Sequence, residues 1–155
     1  MRYVFDSGPL IWMFKYYYPE RFPSLWKKFD QLVDEEQIIS VKEVSRELEG
    51  QDDLLSQWVK DNKSFFQLPA TDELLTVTEI FKIPHFQTLI RKQELLGGKP
   101  VADPFVIAKA KSIGGCVITT EKYKKNAAQI PNVCERFNIS CMDLERFMKE
   151  EDWTF

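Results

Sequence analysis

The stretch ADPFVIAKAKSIGGCVITTE, residues 102–121, decides how the chain folds. Asp103-Pro104 is a helix-opening pair, because proline fits the first turn of a helix, where its missing N–H costs nothing. Phe105, Ile107, Ala108 and Ala110 give the helix its apolar character, and Gly114-Gly115 closes it. Cys116 to Thr119 is then a short apolar run of strand type, followed by Thr120-Glu121. A helix that stops on two glycines and passes at once into a short buried strand is half of a parallel α/β unit.

The same grammar recurs toward the N-terminus. Residues 2–6 read as a buried strand ending in Asp6. Ser7-Gly8-Pro9 signals a helix start, and the helix runs over 9–18. Pro19 to Pro23 is a break, and Ser24 is placed to cap a helix over 25–36. Residues 37–41 are a second strand. Lys42 to Glu49 is a helix that stops at Gly50. Asp52 or Asp53 caps a helix to about Asn62, with Leu54, Leu55 and Trp58 at helical spacing. Residues 64–68 are a weaker strand signal. Helices over 71–81 and 85–96 are separated by Pro84, and 97–100 is a loop. Beyond Glu121, residues 138–141 form a last strand and 143–150 a terminal helix. The expected fold class is α/β: a three-layer α/β/α sandwich around a short, mainly parallel sheet, in one domain spanning 1–155.

Composition is compatible with this and excludes several function classes. Of 155 residues, 44% are hydrophobic and 29% charged, which is ordinary for a globular domain. Lys plus Arg number 21 against 24 Asp plus Glu, a net charge of −3, so the chain is no strongly basic nucleic-acid binder overall. Twelve phenylalanines favour a heavily aromatic core. Three cysteines without C-x-x-C spacing read as reduced residues of a reducing compartment, and the expected location is cytoplasmic. One histidine, His85, excludes a multi-histidine zinc site. Gly97-Gly98-Lys99 lacks the phosphate-loop spacing. The N-terminus has no signal-peptide pattern, and no apolar run approaches the ~18 residues of a membrane helix.

Ligands of parallel sheets bind beyond the carboxyl ends of the strands. Asp6 ends the first strand. Glu43 and Glu47 lie on the helix after the second. Asp103 starts the helix feeding the strand that precedes Glu121. Four segments thus carry acids toward one sheet edge. Hard oxygen donors suit Mg²⁺ or Mn²⁺, and close carboxylates repel unless a cation joins them. A divalent ion so held activates water and stabilises charge on a phosphoryl group. Each acid also has a purely local explanation: Asp103 as a helix cap, Asp6 as a turn residue, Glu43 and Glu47 as a solvated helix face, Glu121 as part of a surface charge run.

The segments YVFDS (3–7), IISVKEVSREL (38–48), ADPFVIA (102–108) and VITTE (117–121) together resemble the PIN domain. More narrowly, the chain resembles the small stand-alone prokaryotic ribonuclease toxins of the VapC type. The resemblance runs in order from Met1 to about Phe147. It implies a PIN-like fold and cleavage of RNA dependent on Mg²⁺ or Mn²⁺. It carries Asp6, Glu47, Asp103 and Glu121 over as catalytic and metal-binding acids. Glu47 matches the Val-x-x-Glu-Leu spacing of the pattern, and Glu43, one turn earlier, is its rival. Where the pattern has Thr-x-Asp, this chain has Thr119-Thr120-Glu121. Ser7 and Thr119 are the expected supporting residues behind the acids. The resemblance further implies an RNA substrate and an antitoxin bound through the early helices, and it allows a homodimer.

Lys122, Lys124 and Lys125 flank Tyr123 directly after Glu121. They are candidates for binding RNA phosphates, with Tyr123 available to stack on a base; a solvated loop is the alternative. Trp12, Phe14, Tyr16, Tyr17 and Tyr18 exceed what one buried helix stripe needs, so part of this segment is expected to form a partner surface. His85 is expected at a helix start or semi-buried, not as a ligand. Two further functions compete with a ribonuclease. A phosphatase with Asp6 as nucleophile usually wants a second Asp two residues on, where Gly8 stands. A non-catalytic PIN-like RNA-binding or scaffold protein has no use for clustered carboxylates.

Overall fold

The computed structural model describes residues 1–49, 53–88 and 101–155. Five short strands, β1 (Tyr3–Phe5), β2 (Ile38–Val41), β3 (Phe66–Gln67), β4 (Cys116–Ile118) and β5 (Ser140–Met142), form one sheet in the order β3-β2-β1-β4-β5. Every pairing is parallel, with Val4 opposite both Ile39 and Val117. Strands β1, β2 and β4 are buried throughout, as strands covered on both faces must be.

Helices occupy both sides of the sheet: α1 (Ser7–Tyr16), α2 (Pro23–Asp34), α3 (Lys42–Leu48), α4 (Leu54–Asp61), α5 (Thr71–Phe81), α6 (Asp103–Ile113), α7 (Ile130–Phe137) and α8 (Leu144–Glu150). Helix α6 lies against β1, β2 and β4 and is itself flanked by α5 and α7, which explains its burial around nearly the whole circumference. Tyr3 and Phe5 point to one face of β1 and meet Phe147 of α8 edge-on, at 4.8 and 5.2 Å. Phe5 also meets Phe29 of α2, which continues to Trp26 and Trp58. The expected aromatic core is therefore a chain of edge-to-face and tilted ring contacts binding α2, α4 and α8 to the central strand.

The deciding stretch folds as expected. Gly114 takes the left-handed conformation, φ 63°, and its N–H and that of Gly115 donate to Lys111 O and Ala110 O, a Schellman ending that turns the chain from α6 into β4. Asp53 caps α4 in a reciprocal box with Ser56.

Other details differ from the sequence-based expectation. Helix α1 begins at Ser7 with Asp6 at the cap position, and α2 begins at Pro23, so Ser24 lies inside it and does not cap it. Where a helix over 85–96 is expected, Pro84–Gln87 is a single 3₁₀ turn; residues 89–100, with the expected loop at 97–100, lie outside the described residues, as does Gly50. Helix α7 is absent from the expectation, although Pro131 in its first turn and Asn138 in the left-handed conformation just past its end are standard start and stop signals. Among the described residues no helix is long and apolar enough to cross a membrane.

Candidate active site

Asp6 leaves β1 at its carboxyl end, and its N–H extends the sheet by donating to Ile118 O at 2.9 Å. This fixes the carboxyl group in the crevice between β1 and β4, where the residue is only 5% exposed. Gly8 helps the first turn of α1 approach the loop after β4: a Cβ there would meet the Thr120 hydroxyl and force that side chain to turn away.

Thr119 is the hinge of the site. Its hydroxyl donates to Asp6 Oδ2 at 3.0 Å and accepts from the Glu121 N–H at 3.1 Å. Glu121 Oε2 in turn accepts from Ile130 N–H at 2.9 Å, at the start of α7. Ser7 contributes through its backbone N–H, which bonds the Asp6 carboxylate. Burial pushes the Asp6 carboxyl up to about 8, the negative charge of Asp103 adding most to this and that of Glu121 adding further, against the opposing bonds from Ser7 and Thr119. The structure thus brings Asp6, Asp103 and Glu121 into one electrostatic neighbourhood.

Glu47 lies on α3. Its Oε1 accepts from Ala102 N–H at 3.2 Å, which sets this glutamate beside the first residue of α6. That first residue is Asp103. Ala102 holds the cap position, and Asp103 is the first helical residue, one place past the cap expected of it. Asp103 is half-buried at the opening of the helix, where a carboxylate also gains from the helix dipole.

Glu43 goes elsewhere. It is 3% exposed and lies against an ion pair that the sequence did not reveal, Lys109 Nζ to Glu73 Oε1 at 2.7 Å, joining α6 to α5. Glu43 Oε1 has no hydrogen-bond partner. Burial raises its carboxyl, Glu73 contributing in the same direction, while its own backbone N–H, Arg46 and Lys109 oppose. The charges that weigh most on it are those of Arg46, Glu73 and Lys109.

The donor set is chemically of the kind that a hard divalent cation takes. It is made of carboxylate oxygens, and its mutual repulsion is the imbalance that a cation corrects. As placed, no three Asp, Glu, His or Cys side chains among the described residues form a group that could hold a metal ion. Glu47 and Glu121 are instead turned toward backbone N–H groups.

Lys122, Tyr123, Lys124 and Lys125 are all exposed on the loop between Glu121 and α7. His85 sits at a helix start, as expected, in the 3₁₀ turn Pro84–Gln87; it is exposed, and its Nε2–H donates to Ala127 O at 2.9 Å. On α1, Trp12 and Tyr16 are exposed and pack against each other with tilted rings, centroids 4.5 Å apart, and Ile11 is exposed on the same helix. Between this helix and α4 runs a groove of about 470 Å³, with Ile11, Phe14, Leu54 and Leu55 in its walls and Glu47 at its edge. The cysteines are free, Cys116 and Cys134 buried and Cys141 half-buried.

Fold and site together define a parallel α/β protein that gathers carboxylates at the carboxyl ends of its central strands. The chain matches the family model described as "Domain of unknown function (DUF4411)" over residues 3–155, and it belongs to that family. No curated protein matches it. Among solved structures it is similar to VapBC-1 from nontypeable Haemophilus influenzae, with 14% identity over 92% of this chain and 98% of that one and a TM-score of 0.47.

Proposed function

We propose that the chain is a metal-dependent endoribonuclease that hydrolyses RNA phosphodiester bonds, and that it is the toxin of a type II toxin-antitoxin pair. The observation that carries the catalytic reading is the raised Asp6 carboxyl, buried at a strand end with Asp103 and Glu121 acting on it. Structural carboxylates are seldom buried against their own kind, whereas a cation site uses such an arrangement. The motif resemblance to PIN ribonucleases supports the choice of RNA and of the toxin role. Asp6 and Asp103 are the residues to hold Mg²⁺ or Mn²⁺, with Glu47 and Glu121 beside them. The cation supplies an activated water and neutralises phosphoryl charge. Thr119 keeps Asp6 oriented toward the shared space, and Lys122, Lys124 and Lys125 attract the phosphates. The exposed aromatic face of α1 and the groove leading to Glu47 suit an antitoxin, which there would cover the site.

The deciding test is incubation of the protein with structured RNA in Mn²⁺ and in EDTA. Cleavage confined to Mn²⁺ is the expected result. Retention of RNA without cleavage would support a non-catalytic RNA-binding protein, a reading favoured by the turning of Glu47 and Glu121 onto backbone amides. The two α3 glutamates separate in the same assay. Glu47→Gln should lose most cleavage, while Glu43→Gln should cleave as the parent does; the reverse pattern would exchange their roles.

Charge reversal of Lys122, Lys124 and Lys125 to Glu should weaken RNA binding and flatten its salt dependence. Each lost phosphate contact to a single strand removes ~0.7 from the slope of log K against log salt. An unchanged slope would reduce the three lysines to a solvated loop.

A further inference from the structure

The loop leaving Glu121 borders a pocket that the carboxylate site does not use. It is a shallow, wide-open depression of about 430 Å³. Tyr123, Asn126, His85 and Arg136 line it, with Asn132 behind the loop. Tyr123 is 56% exposed, yet the loop that presents it is pinned along its length. Glu121 is bound to Ile130 N–H. Asn132, buried on α7, accepts from Lys124 N–H at 3.3 Å and donates to Lys124 O at 2.6 Å. Ala127 N–H closes a turn onto Lys124 O at 3.0 Å, and Ala127 O holds the ring of His85. Ordering an exposed loop costs conformational entropy at every residue, so three anchors around an outward-facing tyrosine build a platform in advance of a ligand.

We propose that this pocket receives one unpaired base of an RNA strand whose neighbouring phosphate lies over the carboxylates, with Tyr123 as the stacking surface. The proposal rests on the ribonuclease reading for the identity of the strand. The occupant follows from charge and shape. Glu135 and Arg136 both line the pocket and offset each other, so it suits an uncharged planar group. The lysines lie on the same loop and are exposed, placed for the charged backbone. Pocket and site share α7, whose first turn holds Glu121 through Ile130 and the loop through Asn132, so their separation is fixed. Bases paired in an RNA helix do not reach such a pocket, whereas splayed bases stack on aromatic side chains.

The test is binding of a short unstructured oligouridylate and of the same oligomer with abasic positions, measured in EDTA by fluorescence anisotropy. Tyr123→Ala should weaken binding of the base-bearing oligomer by about five- to a hundredfold and leave the abasic oligomer unaffected. Tyr123→Phe should recover the parent's affinity, since stacking needs the ring and not the hydroxyl. Arg136→Gln should weaken the base-bearing oligomer by a smaller factor. Equal loss on both oligomers, no loss on either, or no binding by the parent would each overturn the subsite. Cleavage by the parent in Mn²⁺ is scored separately: a parent that discriminates the oligomers but never cleaves would end the ribonuclease reading and keep the subsite, and a parent that cleaves but ignores Tyr123→Ala would do the opposite.

Discussion

Asp6→Asn should abolish metal-dependent cleavage and, in EDTA, should raise the melting temperature of the protein increasingly as pH rises from about 4 to about 8. The carboxyl stands at about 8 in the folded chain against 3.8 as a free group. A carboxyl raised on folding holds its proton more tightly when folded. Its contribution to stability is therefore complete below 3.8 and is lost as pH rises through about 8. At ~1.4 kcal/mol per unit, the full difference is on the order of 5 kcal/mol, an upper bound because neighbouring groups adjust. Asn cannot ionise, so its advantage over Asp should open above pH 4 and level off above pH 8. Mn²⁺ should reverse the order at pH 8: it binds the ionised parent and stabilises it by mass action, whereas a neutral amide holds the ion poorly. Melting curves of both proteins at several pH values, with EDTA and with Mn²⁺, check each step. A pH-independent gap would mean that Asp6 is not the buried, crowded acid described, and an Asp6→Asn chain that still cleaves would remove the site's central member.

What the sequence made legible is what its local chemistry determines. Asp6 at a strand end, Asp103-Pro104 opening a helix and Gly114-Gly115 closing it are signals carried by adjacent residues, and the parallel α/β architecture follows from them. The all-parallel order around β1 adds what local signals do not hold, namely which strand lies beside which. The sequence reading places no helix over 130–137, although Pro131 and Asn138 mark the ends of α7. That omission hid the role of Glu121, whose carboxylate reaches across nine residues to Ile130. The cap explanation of Asp103 was sound chemistry displaced by one residue, with Ala102 at the cap position. Glu43 shows the limit most clearly. Its spacing to Glu47 puts both on one helix face, but the destination of each depends on what packs there: Ala102 for Glu47, the Lys109–Glu73 pair for Glu43. Lys109, within an apolar helix, was the available sign that a buried anion waits on a neighbouring element, since lysine is almost never fully buried unless paired.

Lys109→Met should therefore be among the most destabilising single changes in the chain. The ammonium group is buried with Glu73 at 2.7 Å and also donates to Leu68 O at 3.4 Å. Methionine fills a similar volume, so the loss is electrostatic and not a cavity. It leaves Glu73 buried without its cation, held among the described residues by Ala70 N–H, with Glu43 close enough to repel it. Breaking one side of a buried pair costs about 3–5 kcal/mol, far more than the net worth of the intact pair. Glu73→Gln in the Lys109→Met background should recover most of that loss, because it removes the stranded charge while keeping the amide able to accept from Ala70. Glu43→Gln should cost little in the parent, since burial already favours its neutral form, and the small difference should favour Gln more at high pH, where the raised Glu43 carboxyl must finally ionise. Urea unfolding of the four chains at two pH values measures all of these. A Lys109→Met chain as stable as the parent would show that the pair is solvated and mobile, and failure of Glu73→Gln to recover it would place the loss in the packing of α5 against α6 instead of in the charge.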